Sequence, residues 1–179
     1  MLAVLAVLAS GAVSGTANAG ILAGGCGDRD LGRPFARWLD PFRYTLVPAG
    51  GFESTAQGWT LRGGASIVKG NEPWSVRRAG DSHSLSLPRG SSATTPPVCV
   101  ETLDPTLRFF ARNRGPLALS TLSVEAVALD SLGRPVLREP VGLVVGGTGW
   151  KPTLHILTAL DLAAPLGGAG RSTTSSSIR

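Results

Sequence analysis

Leu122-Ser-Val-Glu-Ala-Val-Ala-Leu129 is the clearest long strand of the chain, and its turn Asp130-Ser-Leu-Gly133 leads into Pro135-Val-Leu-Arg138. A strand, a turn rich in Asp and Gly and a second apolar run are the marks of an antiparallel hairpin. Working outward, similar short runs recur on both sides. Tyr44-Thr-Leu-Val47 reads as a first strand, closed by Pro48-Ala-Gly-Gly51. Gly58-Trp-Thr-Leu61 and Ala65-Ser-Ile-Val68 follow, divided by Gly63-Gly64. In Ser82-His-Ser-Leu-Ser-Leu-Pro88 the apolar residues fall at period two, which places Leu85 and Leu87 on one face. Thr106-Leu-Arg-Phe-Phe-Ala-Arg-Asn113 alternates again, with Leu107, Phe109 and Ala111 opposite Arg108, Phe110 and Arg112. With Val98–Val100, Val141–Val145 and Thr153–Leu157 the chain holds roughly nine strand candidates, the number expected of two packed antiparallel sheets.

Composition agrees with that class. Twenty-four Gly and thirteen Pro in 179 residues, with 42% hydrophobic residues, favour short strands and turns over long helices. No segment carries a sustained 3.6-residue apolar stripe, and only Leu157–Leu166 reads as a short helix. One domain is the default at this length. We expect it to run over residues 35–166, after an extended lead-in at 20–34.

The charge-free run from Met1 to Ala19 ends in Ala17-Asn18-Ala19, a small-x-small cleavage pattern, and reads as a signal peptide cut before Gly20. No basic residue precedes the apolar run, so the true start is expected upstream of Met1. The alternative is a buried N-terminal helix, since the run is too short to span a membrane. Export predicts a secreted or envelope-associated protein with no membrane span after cleavage. It also places Cys26 and Cys99, the only two cysteines, in an oxidising compartment where they are expected to pair, the alternative being two free thiols.

Catalytic chemistry needs convergent groups. The two histidines, His83 and His155, lie in separate predicted strands with no zinc-binding spacing, and read as satisfied strand residues. No G-x-S-x-G elbow is present. Nothing pairs two of Glu53, Glu72, Glu101, Glu125 and Glu139 across one cleft, and Gly146-Gly147-Thr148-Gly149 is a turn and not a phosphate cradle. The expectation is therefore no enzyme. Among the four tryptophans, Trp59 and Trp150 read as core. Trp74 sits in a turn-rich loop with Asn71, Glu72 and Arg77, and these four are the candidate ligand-binding residues.

Gly50-Gly-Phe-Glu53 followed by Gly58-Trp59, with Trp150-Lys-Pro-Thr153 later, resembles the marks of carbohydrate-binding-module-like, galactose-binding-like jelly rolls. The likeness spans roughly Leu39 to Leu157, and the blocks Ser84–Val100 and Pro105–Arg112 also resemble a group of secreted actinobacterial proteins for which it implies no activity. The resemblance implies a two-sheet antiparallel jelly-roll sandwich, a glycan ligand and, at Glu53, a structural calcium; no other cofactor is expected. It also implies a last strand like "W-x-I-D-D-V", absent from Gly170–Arg179 as written. Codons can be chosen for this tail that, read in another frame, encode W-S-I-D-D-V-F-I-D-P. Residues 167–179 are therefore expected to be a disordered, frameshifted tail on a sandwich lacking its last strand. Repair would remove two arginines and add three aspartates, taking the formal charge from +5 to 0. The basic charge is thus weak support for a nucleic-acid partner, and none is expected.

The expected function is a secreted, non-catalytic binding module directed to a glycan or cell-envelope polymer. A structural or protein-interaction domain of the envelope is the alternative, and a hydrolase the third reading.

Overall fold

The computed structural model describes residues 29–100, 106–115, 120–130 and 132–158, and the backbone of residues 2–3 and 173–178. In chain order the strands are β1 (Leu2–Ala3), β2 (Thr60–Arg62), β3 (Ser66–Lys69), β4 (His83–Ser86), β5 (Ser92–Thr94), β6 (Val98–Cys99) and β7 (Thr106–Leu107). They continue with β8 (Phe110–Ala111), β9 (Thr121–Leu129), β10 (Pro135–Val145), β11 (Lys151–Pro152), β12 (Ile156–Leu157) and β13 (Thr173–Ile178). The fold is all-β, and its ladders are antiparallel. One sheet has the order β11-β8-β1-β4-β3, the other β10-β9-β13-β5-β2 with β6 also on β13, and β12-β7 form a separate small ladder. The only helical turn among the described residues is a 3-10 turn at Ala36–Trp38.

The hairpin that decides the class forms as expected. At its turn Asp130 Oδ1 accepts the N–H groups of Leu132 and Arg134, both at 2.9 Å, and Gly133 adopts φ 75°, a left-handed conformation that glycine enters without strain. Pro135–Arg138 and Val141–Val145, expected as two strands, are one strand, with register irregularities at Pro135/Leu137 and Pro140/Gly142. Pro140 has no N–H for a ladder, and β10 lies at a sheet edge, where that loss is tolerated.

One hydrophobic cluster draws on all three sheets: Leu85 and Ala111 from the first, Ala93, Leu122 and Val124 from the second, Leu107 and Ile156 from the small ladder. This is the packing a sandwich requires. A second cluster, Phe35, Tyr44 and Phe110, lies outside it, with Trp38, Trp74, Val76 and Trp150 against its flanks. The alternating segment 106–113 separates the two. Leu107, Phe109 and Ala111 enter the main core as expected, but the opposite face is also buried: Phe110 is 1% exposed and Arg108 6%. Between β7 and β8 the Phe109 N–H donates to Thr153 Oγ1 at 3.2 Å, and the Phe109 carbonyl accepts the Thr153 N–H at 2.8 Å.

Two other expectations need correction. Tyr44–Val47 is not a strand; a single bridge joins Tyr44 to Gly32, and the segment is held by its buried side chains, Tyr44 and Val47, between Pro41 and Pro48. The tail is not unpaired. Thr173–Ile178 is a central strand, running antiparallel to β9 from Thr173↔Leu129 to Ile178↔Val124, and to β5 and β6 on its other side. A ladder is made by backbone groups, so a Thr/Ser/Ile sequence free of Gly and Pro can fill a slot between two strands. The tail as written occupies that slot, so the expectation of an unpaired tail is corrected.

Leu2–Ala3, within the expected leader, form β1 between β4 and β8, with Leu2 opposite Leu85 and Ala111. The rest of the leader, Cys26 and most of Leu157–Leu166 lie outside the described residues. Among the described residues no helix is long and apolar enough to cross a membrane.

Candidate functional site

The loop between β3 and β4 is organised by a buried carboxylate. Pro73 has no N–H to offer, so the Glu72 side chain reaches past it: Oε2 accepts the Trp74 N–H and Oε1 the Val76 N–H, both at 2.6 Å. Asn71 Oδ1 accepts the Glu72 N–H at 2.8 Å. Arg77 closes the loop with a two-pronged ion pair to Asp81, 2.7 Å at each contact. Its guanidinium lies over Gly51, where a Cβ would come within 2.6 Å of Nε. Asn71, Glu72 and Arg77 thus share one small cavity with Gly51, Asp81 and Phe110, of only about 20 Å³. That is room for a water molecule and not for a sugar ring. Trp74 is half-buried and turned to the aromatic cluster, edge-on to Trp38 at 4.9 Å and 5.7 Å from Phe110. The sequence alone favoured an exposed Trp74 because Pro73 and Ser75 mark a turn; it gave no sign of Trp38, which comes from a distant loop.

Glu53 is a staple between the loop before β2 and the start of β4. Its Oε1 accepts the N–H groups of Ser82 (2.8 Å) and His83 (2.9 Å), and its Oε2 lies 3.3 Å from Ser82 Oγ and 3.0 Å from His83 Nδ1. Burial would raise the Glu53 pKa, but these hydrogen bonds and the His83 charge outweigh it and hold the carboxyl below the usual range. Calcium needs oxygen acceptors converging from several sides, six to eight in all. At Glu53 the space around the carboxylate is taken by donors, and among the described residues no group of three His, Cys, Asp or Glu assembles. The residues present do not fit a calcium ion there. Ser82 Oγ and Glu53 Oε2 both approach the same ring nitrogen of His83, Nδ1, at 3.1 and 3.0 Å. A nucleophile–base–acid relay needs them on opposite nitrogens.

A third constellation had no sequence signal. Asp40, 3% exposed, accepts from Tyr44 Oη, Arg108 Nη1 and His155 Nε2 on Oδ2, and from the Phe42 N–H on Oδ1. Arg108 also donates Nε to the Thr153 carbonyl at 2.9 Å and stacks on Phe35 at 4.7 Å. Desolvation pushes the Asp40 carboxyl up, but the bonds from Tyr44, Phe42 and Arg108 and the Arg108 charge bring it below its ordinary value. Burial and that same carboxylate push the Tyr44 hydroxyl well above its ordinary value. Every group here is satisfied by a neighbour, as in a structural hub. Trp59, expected as core, is 8% exposed with Nε1 donating to the Pro48 carbonyl at 2.9 Å.

A larger concave surface than the one at the Trp74 loop lies elsewhere. A cleft of about 640 Å³ opens where the β4–β5 turn, the end of β8, the start of β9 and the end of β10 meet. Leu87, Ala111 and Leu122 line it, together with Arg89, Arg112 and Arg114. Arg112 is held by stacking on Trp150, 5.1 Å from the ring centre. Asn113 is anchored by its N–H to the Gly147 carbonyl at 2.7 Å, and its Oδ1 accepts the Gly115 N–H at 2.8 Å. The sequence signal for this cleft was slight: Arg89 in a Pro-Arg-Gly turn, and Arg112 and Arg114 on either side of Asn113.

The chain matches no protein-family profile, no curated protein and no solved structure.

Proposed function

We propose that this protein is a secreted, non-catalytic binding module directed to a glycan or cell-envelope polymer. The observation that carries the reading is the cleft of about 640 Å³, within the usual size range for ligand sites and combining an apolar floor with amide, hydroxyl and guanidinium groups. The all-β architecture and the leader pattern of the first nineteen residues support the class and the location. The site moves from the Trp74 loop, where Asn71, Glu72 and Arg77 are committed to one another and to the backbone, to this cleft. A non-catalytic role is favoured by the two histidine–carboxylate pairs: His83 lacks relay geometry, and His155 meets an Asp40 already engaged by Arg108 and Tyr44.

A structural or interaction domain of the envelope is the second reading. It is favoured by β10, an eleven-residue edge strand exposing Leu143 and Val145. Polysaccharide pull-down and glycan-array binding test the first reading, with wild type and Trp74→Ala compared at equal foldedness. Binding kept by Trp74→Ala agrees with the cleft. Loss confined to that variant returns the site to the loop, and a wild type inert across the panel overturns the module reading in favour of the second.

A further inference from the structure

We infer that the segment 33–43 docks the protein on an anionic lipid bilayer, exposed apolar side chains entering the headgroup boundary and arginines meeting the lipid phosphates. The inference goes beyond the glycan reading and uses residues outside the cleft. Leu39 follows the 3-10 turn Ala36–Trp38, and its side chain is 94% exposed on a backbone at φ 60°. That left-handed conformation is unfavourable for leucine, so the fold holds an apolar side chain in water on a strained backbone. Phe42 is 42% exposed and meets the His155 ring edge-on at 5.6 Å, and Leu154, next to that histidine, is 85% exposed. His155 Nε2 and the Phe42 N–H both bond the carboxylate of Asp40, the residue after Leu39. Leu39, Phe42 and Leu154 therefore flank one anchor.

The charge around these residues has one sign. Arg33, Arg37 and Arg43 are exposed, and among the described residues none of the three forms an ion pair; Arg37 lies over the Trp38 ring, 5.5 Å from its centre. Asp40, the only acidic residue between 31 and 44, is buried against Arg108, and residues 151–158 contain no Asp or Glu. The exposed Leu132 and Val136 of the β9–β10 hairpin differ, because Arg134 is paired with Asp130 at 2.8 Å and Arg138 lies 3.8 Å from Glu125. Leu39, Phe42 and Leu154 line neither of the two cavities described above and project into solvent. A protein partner would need a pocket for each projecting side chain. The boundary zone of a bilayer takes apolar side chains without matching their shape, and its anionic headgroups attract arginine. Peripheral binding grows with the apolar area inserted and with that attraction, and this surface offers both.

The test is cosedimentation of the full-length chain with vesicles of phosphatidylcholine alone and of equal parts phosphatidylcholine and phosphatidylglycerol. Binding to the anionic vesicles is expected, stronger than to the neutral ones and weakened by salt. The double variants Leu39→Gly/Leu154→Ser and Arg33→Ala/Arg43→Ala should each lose at least about tenfold in affinity for the anionic vesicles at unchanged melting temperature. Glycine enters the left-handed conformation without strain, so the first variant keeps the fold while losing the apolar tips. The apolar run Met1–Ala19 is common to every variant, and a local probe separates its contribution. An environment-sensitive fluorophore on Leu39→Cys should shift to the blue with anionic vesicles. Vesicle binding with no change at that probe, equal affinity for neutral and anionic vesicles, or affinity unchanged in both double variants overturns the inference. Equal binding of polyglutamate through the same residues would assign the patch to an acidic protein partner. A dimer that Leu39→Gly/Leu154→Ser abolishes, with no vesicle binding, would assign it to a second copy, and either result overturns the inference. The glycan reading is decided separately, by the polysaccharide pull-down.

Discussion

Asp40 and Arg108, 68 residues apart, form an ion pair with both side chains withdrawn from water. The pair ties the loop before Tyr44 to the strand segment between the two cores, and Tyr44 and His155 close around it. Removing one partner of such a pair leaves a buried charge without compensation. Arg108→Met should therefore destabilise the protein by about 3–5 kcal/mol, against about 1 kcal/mol for Tyr44→Phe, which deletes one hydrogen bond. Urea unfolding of both variants checks the ranking, and equal losses would mean that the ion pair is not what holds the loop.

Stability should fall at both ends of the pH scale for reasons set by the same residues. Asp40 and Glu53 have folded pKa values below their unfolded ones, so their contribution is complete above the unfolded carboxylate range and is lost as pH falls through the folded values. Tyr44 is shifted up, so its contribution is complete below the unfolded tyrosine value, about 10, and is lost as pH rises beyond it. Melting temperature measured against pH in wild type and Glu53→Gln checks the acid limb. That limb should be shallower in the variant.

Gly63 and Gly90 offer a controlled comparison, since both have positive φ, 64° and 77°. A Cβ on Gly63 would lie 2.7 Å from the Gly90 carbonyl oxygen and 2.9 Å from Ser91 Cα, whereas one on Gly90 meets nothing within 4 Å. Gly90→Ala should cost the left-handed conformation alone, about 1–2 kcal/mol. Gly63→Ala adds a collision with backbone and should cost clearly more. Equal melting temperatures would refute the close approach of these two turns.

The tail carries a prediction opposite to its composition. As a strand between β9 and β5, Thr173–Ile178 should show slow amide hydrogen exchange, and Ser176→Pro should reduce stability and soluble yield, because proline removes a donor from a central ladder. Coil-like exchange across these residues would contradict the pairing.

For the cysteines, Cys99 on β6 is not free, and its expected partner Cys26 lies outside the described residues. If they pair, unreduced protein should titrate no thiol, and reduction should lower the melting temperature by several degrees, as expected from the roughly 4 kcal/mol of a long closed loop. Two reactive thiols in native protein would rule the bridge out.

Local sequence was sufficient for the all-β class, for the β9–β10 hairpin and for the inward face Leu107, Phe109 and Ala111, because strand periodicity and turn chemistry act between near neighbours. The resemblance implied a last strand at the end of the chain, and the Gly/Ser/Thr tail itself was expected to stay out of the sheets. The occupant of that slot was decided by tertiary structure, since a gap between two strands selects backbone groups more strongly than side chains. Burial of Arg108 and Phe110 likewise depends on a second cluster assembled from Phe35, Tyr44 and Trp38, which no period along one strand can reveal. The arginine cleft belongs to the same category. Nothing along the sequence joins Arg89 to Arg112 and Arg114, and only the meeting of four chain segments sets them around one space.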